Sequence, residues 1–342
     1  GVDYSQRDDG HYKSIFLRRP YFSQDDPWTA EINAWDSLGE VRHYLSNAGP
    51  AGIDPAGQAS LYAKIPTHYL GLQLVFQKRV SPRSRGRIWR LGAGGRLVDQ
   101  DVRLDEQQAW VLSDGRLADL DYLLADDQPL GRDQGVEAHP FLWLNTLGRT
   151  WVKSRFVLQF GPVEDIPLDW NLNLTTGPNG ARMGSTRGNG SGTWLTEAAF
   201  SHWWKHESKF ALLSGNVVWQ AGEGVNGYHR YEVVAGLVSL QGPENHPWIT
   251  RVFAEYADGR NLAGNQALLL GLDRGMRTLD FDGRAGDRLV RWNLEQGKAA
   301  PWEVFDLFRV GGAVFYNGGN SWWRDESRTL DGARHELGFG PV

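Results

Sequence analysis

One feature constrains this chain more than any other. A period of two returns along most of its length, in short segments where apolar side chains alternate with polar or small ones. In a strand every second side chain shares a face, so each segment carries one apolar and one polar face. Trp28, Ala30, Ile32 and Ala34 interleave with Thr29, Glu31 and Asn33, and Leu70, Leu72, Leu74 and Phe76 with Gly71, Gln73, Val75 and Gln77. Trp89, Leu91 and Ala93 interleave with Arg90, Gly92 and Gly94. The run Val152, Ser154, Phe156, Leu158 and Phe160, set against Lys153, Arg155 and Gln159, reads as the clearest wall strand. Further along, Trp248, Thr250, Val252, Ala254 and Tyr256 alternate with Arg251, Phe253 and Glu255, and Val290, Trp292 and Leu294 with Arg291, Asn293 and Glu295. Finally, Phe308, Val310, Val314 and Tyr316 stand against Arg309, Gly311 and Asn317.

No uninterrupted apolar stretch approaches the roughly 18 to 20 residues that a membrane helix needs, which excludes helical spans. The pattern fits an all-β chain, an antiparallel transmembrane β-barrel whose outward residues meet lipid and whose inward residues meet a polar lumen. A soluble β-sandwich also alternates. Connection lengths favour the barrel, because short links such as Ser23 to Pro27 are followed by long polar ones, Ser37 to Ala59 and Asp101 to Glu137. Aromatic pairs at segment ends, Pro20-Tyr21-Phe22, Trp203-Trp204 and Trp322-Trp323, suit headgroup depth or the packing of loop bases. The absence of cysteine excludes disulfides and thiolate metal sites, and a net charge of -5 offers no electrostatic reason to expect nucleic acid.

Near the C-terminus, Gly271-Leu272-Asp273-Arg274-Gly275-Met276 precedes Gly286 to Glu295 and then Gly312-Ala313-Val314-Phe315-Tyr316-Asn317-Gly318-Gly319. This block resembles the BamA/TamA superfamily of outer-membrane assembly barrels, also called the bacterial surface antigen family. Arg19-Pro20-Tyr21-Phe22 with Trp28, and Val163-Glu164-Asp165-Ile166-Pro167-Leu168, extend the resemblance upstream. It implies a single barrel domain over 1–342, without periplasmic receptor domains, and a lumenal loop at about 258–287. It also implies that Arg274, Gly275 and Met276 form the loop motif and that Glu295 and Asn317 are its clamp partners on the wall. A guanidinium inside a barrel needs a carboxylate, because desolvating it alone costs several kcal/mol. Two positions depart from the family pattern: Met276 replaces an aromatic residue, and Asn317 replaces an aspartate.

The family barrel has sixteen strands, and about fourteen alternating segments are visible by Val342, with the Arg-Gly loop after the eleventh. Closing strands are therefore expected from residues beyond this sequence or from another chain. Gly297-Lys298-Ala299-Ala300 falls where the resemblance places an aromatic turn.

Other chemistry finds little support. Gly222-x-Gly224-x-x-Gly227 has dinucleotide spacing but joins two strands, so it reads as a hairpin loop. His202 and His206 flank Trp203-Trp204-Lys205 in a strand end and turn, where no metal site is expected. Asp25-Asp26 and Asp126-Asp127 read as solvated turn and loop acids.

The resemblance implies a non-enzymatic barrel of a Gram-negative outer membrane, without metal or cofactor, that assists insertion or translocation of proteins through a lateral seam. Gly1, Val2, Asp3, Tyr4, Ser5 and Gln6 would form one side of that seam. Its partners would be outer-membrane lipids and lipopolysaccharide, a client barrel protein, and a periplasmic or lipoprotein partner for recruitment. The alternatives are a passive pore or structural surface barrel, which the Met276 and Asn317 departures favour, and the membrane anchor of a secreted enzyme domain lying upstream.

Overall fold

The computed structural model describes residues 1–7, 10–20, 26–44, 62–82, 86–102, 135–158, 163–179, 193–222, 227–262, 266–271, 276, 284–304, 308–324 and 332–341. Its strands are β1 (Val2–Arg7), β2 (Gly10–Arg19), β3 (Trp28–Tyr44), β4 (Tyr62–Arg79), β5 (Ile88–Val102) and β6 (Gly135–Leu147). There follow β7 (Trp151–Arg155), β8 (Val163–Pro167), β9 (Asn171–Asn179), β10 (Thr193–His206), β11 (Lys209–Gly222) and β12 (His229–Gln241). The last are β13 (Trp248–Arg260), β14 (Leu268–Leu270), β15 (Arg284–Gly286), β16 (Arg288–Val304), β17 (Phe308–Trp322) and β18 (Arg334–Pro341).

Fourteen of these form one antiparallel sheet in chain order, while β7–β8 and β14–β15 are separate two-stranded hairpins. The wall strands β3 to β6, β10 to β13, β16 and β17 have 13 to 18 residues each. That exceeds the roughly 9 to 11 that a tilted strand needs to cross a bilayer. Connections alternate in length. One rim carries tight links, such as Glu207-Ser208 between β10 and β11; the other carries the chain from Tyr44 to Tyr62 and from Val102 to Gly135.

Alternation sorts side chains as a lipid-facing wall requires. On β4, Leu70 and Leu74 are 53% and 46% exposed, whereas Val75 between the same neighbours is 8% exposed. On β13, Trp248, Val252 and Tyr256 are exposed, while Ile249, Arg251, Glu255 and Ala257 are buried on the opposite face. Leu294, Val314 and Tyr316 continue the exposed face on β16 and β17. A sandwich would cover this apolar face with a second sheet. Among the described residues no second sheet does so, and the two hairpins pack instead on the buried face of the later strands.

Three readings from the sequence change. The Val152 run is not a wall strand: Trp151 to Arg155 pair with Val163 to Pro167 in the β7–β8 hairpin. Five residues are too few to span, and Phe156 and Val157 are fully buried instead of facing lipid. The presumed loop from Ser37 begins later, because β3 runs on to Tyr44 and pairs with β4 as far as Tyr62. Gly297 to Ala300 lie inside β16, with Gly297 opposite Ile249 and Ala299 opposite Gly311, before a bulge between Ala299 and Glu303. Small residues fit there because Phe156 packs against Ile249 and Ala299.

Candidate functional site

The inner face of β9 to β17 is occupied from both rims. From the tight-turn rim, Val157 and Ile166 of the β7–β8 segment pack with Trp203, Phe210 and Val238 of the wall. The hairpin end is held by polar contacts as well. Glu164 accepts hydrogen bonds from the backbone N–H groups of Val157 (2.9 Å) and Leu158 (3.0 Å), which fixes the turn after β7. Phe156 sits at φ 66°, a left-handed conformation that costs a bulky residue about 1 to 3 kcal/mol and persists only when its surroundings hold it. Arg251 does so: its Nη2 donates to the Phe156 carbonyl (2.8 Å) and its Nε to that of Val157 (3.1 Å). Its Nη1 forms an ion pair with Glu295 on the neighbouring strand.

At the base of this hairpin, the Asp169 carboxylate accepts the N–H groups of Arg149 (3.0 Å) and Thr150 (2.9 Å) and lies 3.9 Å from the Arg87 guanidinium. Burial pushes this carboxyl up, but the Thr150 and Arg149 hydrogen bonds and the Arg87 charge outweigh it and hold Asp169 below the usual carboxylate range. Gly148 permits the close approach, since a Cβ there would lie 1.9 Å from the Asp169 Cβ. Arg87 in turn stacks on Trp170 at 3.6 Å from the ring centroid.

From the long-connection rim, described residues between β13 and β16 lie against the inner face. Leu268, Leu270 and Met276 pack with Ala257 and Leu289 of the wall, and Ala267 and Ala285 with Trp323. The Ser321 hydroxyl donates to the Leu268 carbonyl at 2.6 Å. Trp322 and Trp323 are therefore both buried, and of the other pair Trp203 joins the lower plug while Trp204 faces out.

Between the plugs runs a polar ladder. Glu255 pairs with Arg291, Asn293 donates to Asn317, and Asn317 donates to Glu336 on β18 at 2.5 Å. Met276 borders this ladder with Phe253, Glu255, Arg291, Asn293 and Asn317 around a cavity of about 210 Å³.

The residues expected from the resemblance distribute as follows. Met276 is buried in the lumen, and Glu295 and Asn317 both lie on the inner face. Arg274 and Gly275 lie outside the described residues, as do Asp126 and Asp127. Glu295 is engaged by Arg251 and through it by the lower hairpin, and Asn317 lies between Asn293 and Glu336. The negative charge that the Asn317 departure removes is thus present one strand away, on Glu336. Arg251, Glu164 and Glu336 were missed. Arg251 alternates correctly on its strand, but nothing local distinguishes it from Arg291. Of the seam residues, Val2 to Gln6 pair with β2 in register, Val2 opposite Ile15 and Gln6 opposite His11. Gly222 ends β11, and the chain returns as β12 at His229, a strand-to-strand connection as expected. No cluster of acids and histidines able to hold a metal is present among the described residues.

The apolar outer face, the antiparallel order and the lumenal hairpins define the class: a transmembrane β-barrel. No protein-family model and no curated protein matches the chain. Among solved structures it is similar to the crystal structure of BamA from Haemophilus ducreyi lacking POTRA domains 1-3, with a TM-score of 0.46 and 11% sequence identity. That match covers 100% of this chain and 63% of the other.

Proposed function

We propose that the chain is an outer-membrane barrel of the BamA/TamA type that assists insertion or translocation of proteins through a lateral seam of which β1 forms one side. The observation that carries this reading is the occupied lumen. β7–β8 packs on β10 to β12 from one rim and β14–β15 on β13 and β16 from the other, so the chain's own residues occupy the inner face along this part of the wall, where an open pore would have none.

A seam at β1 would work by strand addition. A strand edge with free N–H and C=O groups accepts an extended segment by β-augmentation. Val2 and Tyr4 project from the outer face of β1 and are 74% and 65% exposed. An incoming strand with lipid-facing side chains in the same register would cover them. The client is thus a barrel precursor, delivered by a periplasmic or lipoprotein partner.

The test is an engineered disulfide between β1 and the strand that closes against it in the full-length protein, reconstituted in proteoliposomes with an unfolded barrel client. Oxidation should stop client insertion and reduction should restore it. Insertion at an unchanged rate in the oxidised, cross-linked protein would overturn the proposal.

A further inference from the structure

At the tight-turn rim the outer face ends in paired cations and tryptophans. The Arg19 guanidinium stacks on Trp28 at 3.6 Å from the ring centroid, and its Nη1 donates to the Trp28 carbonyl at 3.1 Å. Lys78 lies directly across from Trp28 on β4 and is exposed. Neither Arg19 nor Lys78 meets a carboxylate among the described residues. The indole also lies 6.2 Å from the Phe76 ring, and Leu17, Ile32 and Leu74 continue an exposed apolar surface towards the middle of the wall. A related arrangement recurs at the same rim on β13 and β16, where the Lys298 ammonium lies 5.2 Å over the Trp248 ring opposite it.

Farther along the same face charges of both signs meet: Asp36, midway along β3, is paired with His68 at 2.8 Å and flanked by His11 and Lys13.

We infer that Arg19, Trp28 and Lys78 form a binding site for the phosphate of an anionic phospholipid in the leaflet on the tight-turn side. This rests on the transmembrane reading of the wall. The indole holds the guanidinium flat at headgroup depth, which leaves its remaining N–H groups free to meet a phosphate from one side while Lys78 approaches from the other. Acyl chains then run over Leu17, Ile32 and Leu74. Each cation near an anionic surface is worth about five- to sixfold in affinity, so losing both weakens binding about thirtyfold.

The experiment is native mass spectrometry of the full chain, first inserted in phosphatidylcholine bilayers and then released with phosphatidylglycerol present. Phosphatidylcholine, lipopolysaccharide and millimolar inorganic phosphate serve as comparators. The protein should retain phosphatidylglycerol above the other lipids and against inorganic phosphate. Arg19→Gln/Lys78→Gln should lose about thirtyfold of it, and Lys13→Gln, farther along the same face, should retain it. Equal retention in the double variant, equal retention of phosphatidylcholine or lipopolysaccharide, or displacement by inorganic phosphate would overturn the site while leaving the barrel standing. Failure of the wild-type chain to enter phosphatidylcholine bilayers would overturn the site and the transmembrane reading together.

Discussion

Replacing Arg251 with methionine should release the lower hairpin from the lumen while the wall stays folded. Arg251 holds two buried carbonyls, those of Phe156 and Val157, and neutralises Glu295, whose side chain is 18% exposed. Orphaning a buried acceptor costs about 1 to 3 kcal/mol, and breaking a buried ion pair by removing one partner costs about 3 to 5 kcal/mol. These overlap, since water reaches part of the site, and about 3 to 5 kcal/mol in total is reasonable. Against this, burying the side chains of Phe156, Val157 and Ile166 contributes about 1.5 to 3 kcal/mol each. The left-handed Phe156 takes back about 1 to 3 kcal/mol of that. Without its latch the docked hairpin is close to balance with a released one. Amide hydrogen exchange of residues 151–158 and 163–166 should accelerate by a hundredfold or more, on the order expected for a loss of about 3 kcal/mol. Exchange along β13 should change little, and single-channel current should rise. Removing the stranded acid as well, in Arg251→Met/Glu295→Leu, should recover part of the protection. Hairpin amides exchanging as slowly in Arg251→Met as in the parent would refute the latch.

Three further outcomes follow from the site. Asn317→Asp would set a second carboxylate against Glu336, lowering the unfolding midpoint in denaturant, and adding Glu336→Gln should restore it, because only the like-charge contact is at fault. Gly148→Ala would drive a methyl into Asp169 and destabilise the hairpin base by about 1 to 3 kcal/mol, measurable as faster exchange at Arg149 and Thr150. The folded-state pKa of Asp169 lies below its unfolded value, so its contribution is complete above the ordinary aspartate range and is lost as pH falls through the depressed value. Protection of those two amides should therefore persist through mildly acidic pH and drop only below the ordinary range, a drop absent in Asp169→Asn.

The wall was legible because one face of each strand meets lipid. That condition forces alternation on β3, β4, β13, β16 and β17, and it gave the right outward sets from Trp28, Leu70 and Trp248 onward. The same logic misplaced Val152 to Phe160, since a hairpin with one face against a lumenal core alternates just as a wall strand does. The strand stops at Arg155 because Phe156 takes a left-handed conformation, which no local sequence signal announces. The ladder was half legible. Register put Glu295 and Asn317 inward, but their partners Arg251 and Glu336 come from neighbouring strands, and cross-strand pairing is set by turn lengths that sequence does not state.

A lipid-facing wall is tested most directly by which way β13 faces. Nitroxide labels placed singly from Arg251 to Tyr256, in the chain reconstituted in bilayers, should collide with dissolved oxygen at Val252, Ala254 and Tyr256 and be shielded at Arg251, Phe253 and Glu255. Uniform oxygen access along the strand, or high access to a water-soluble nickel chelate at Val252 and Ala254, would contradict a lipid-facing wall around a plugged lumen.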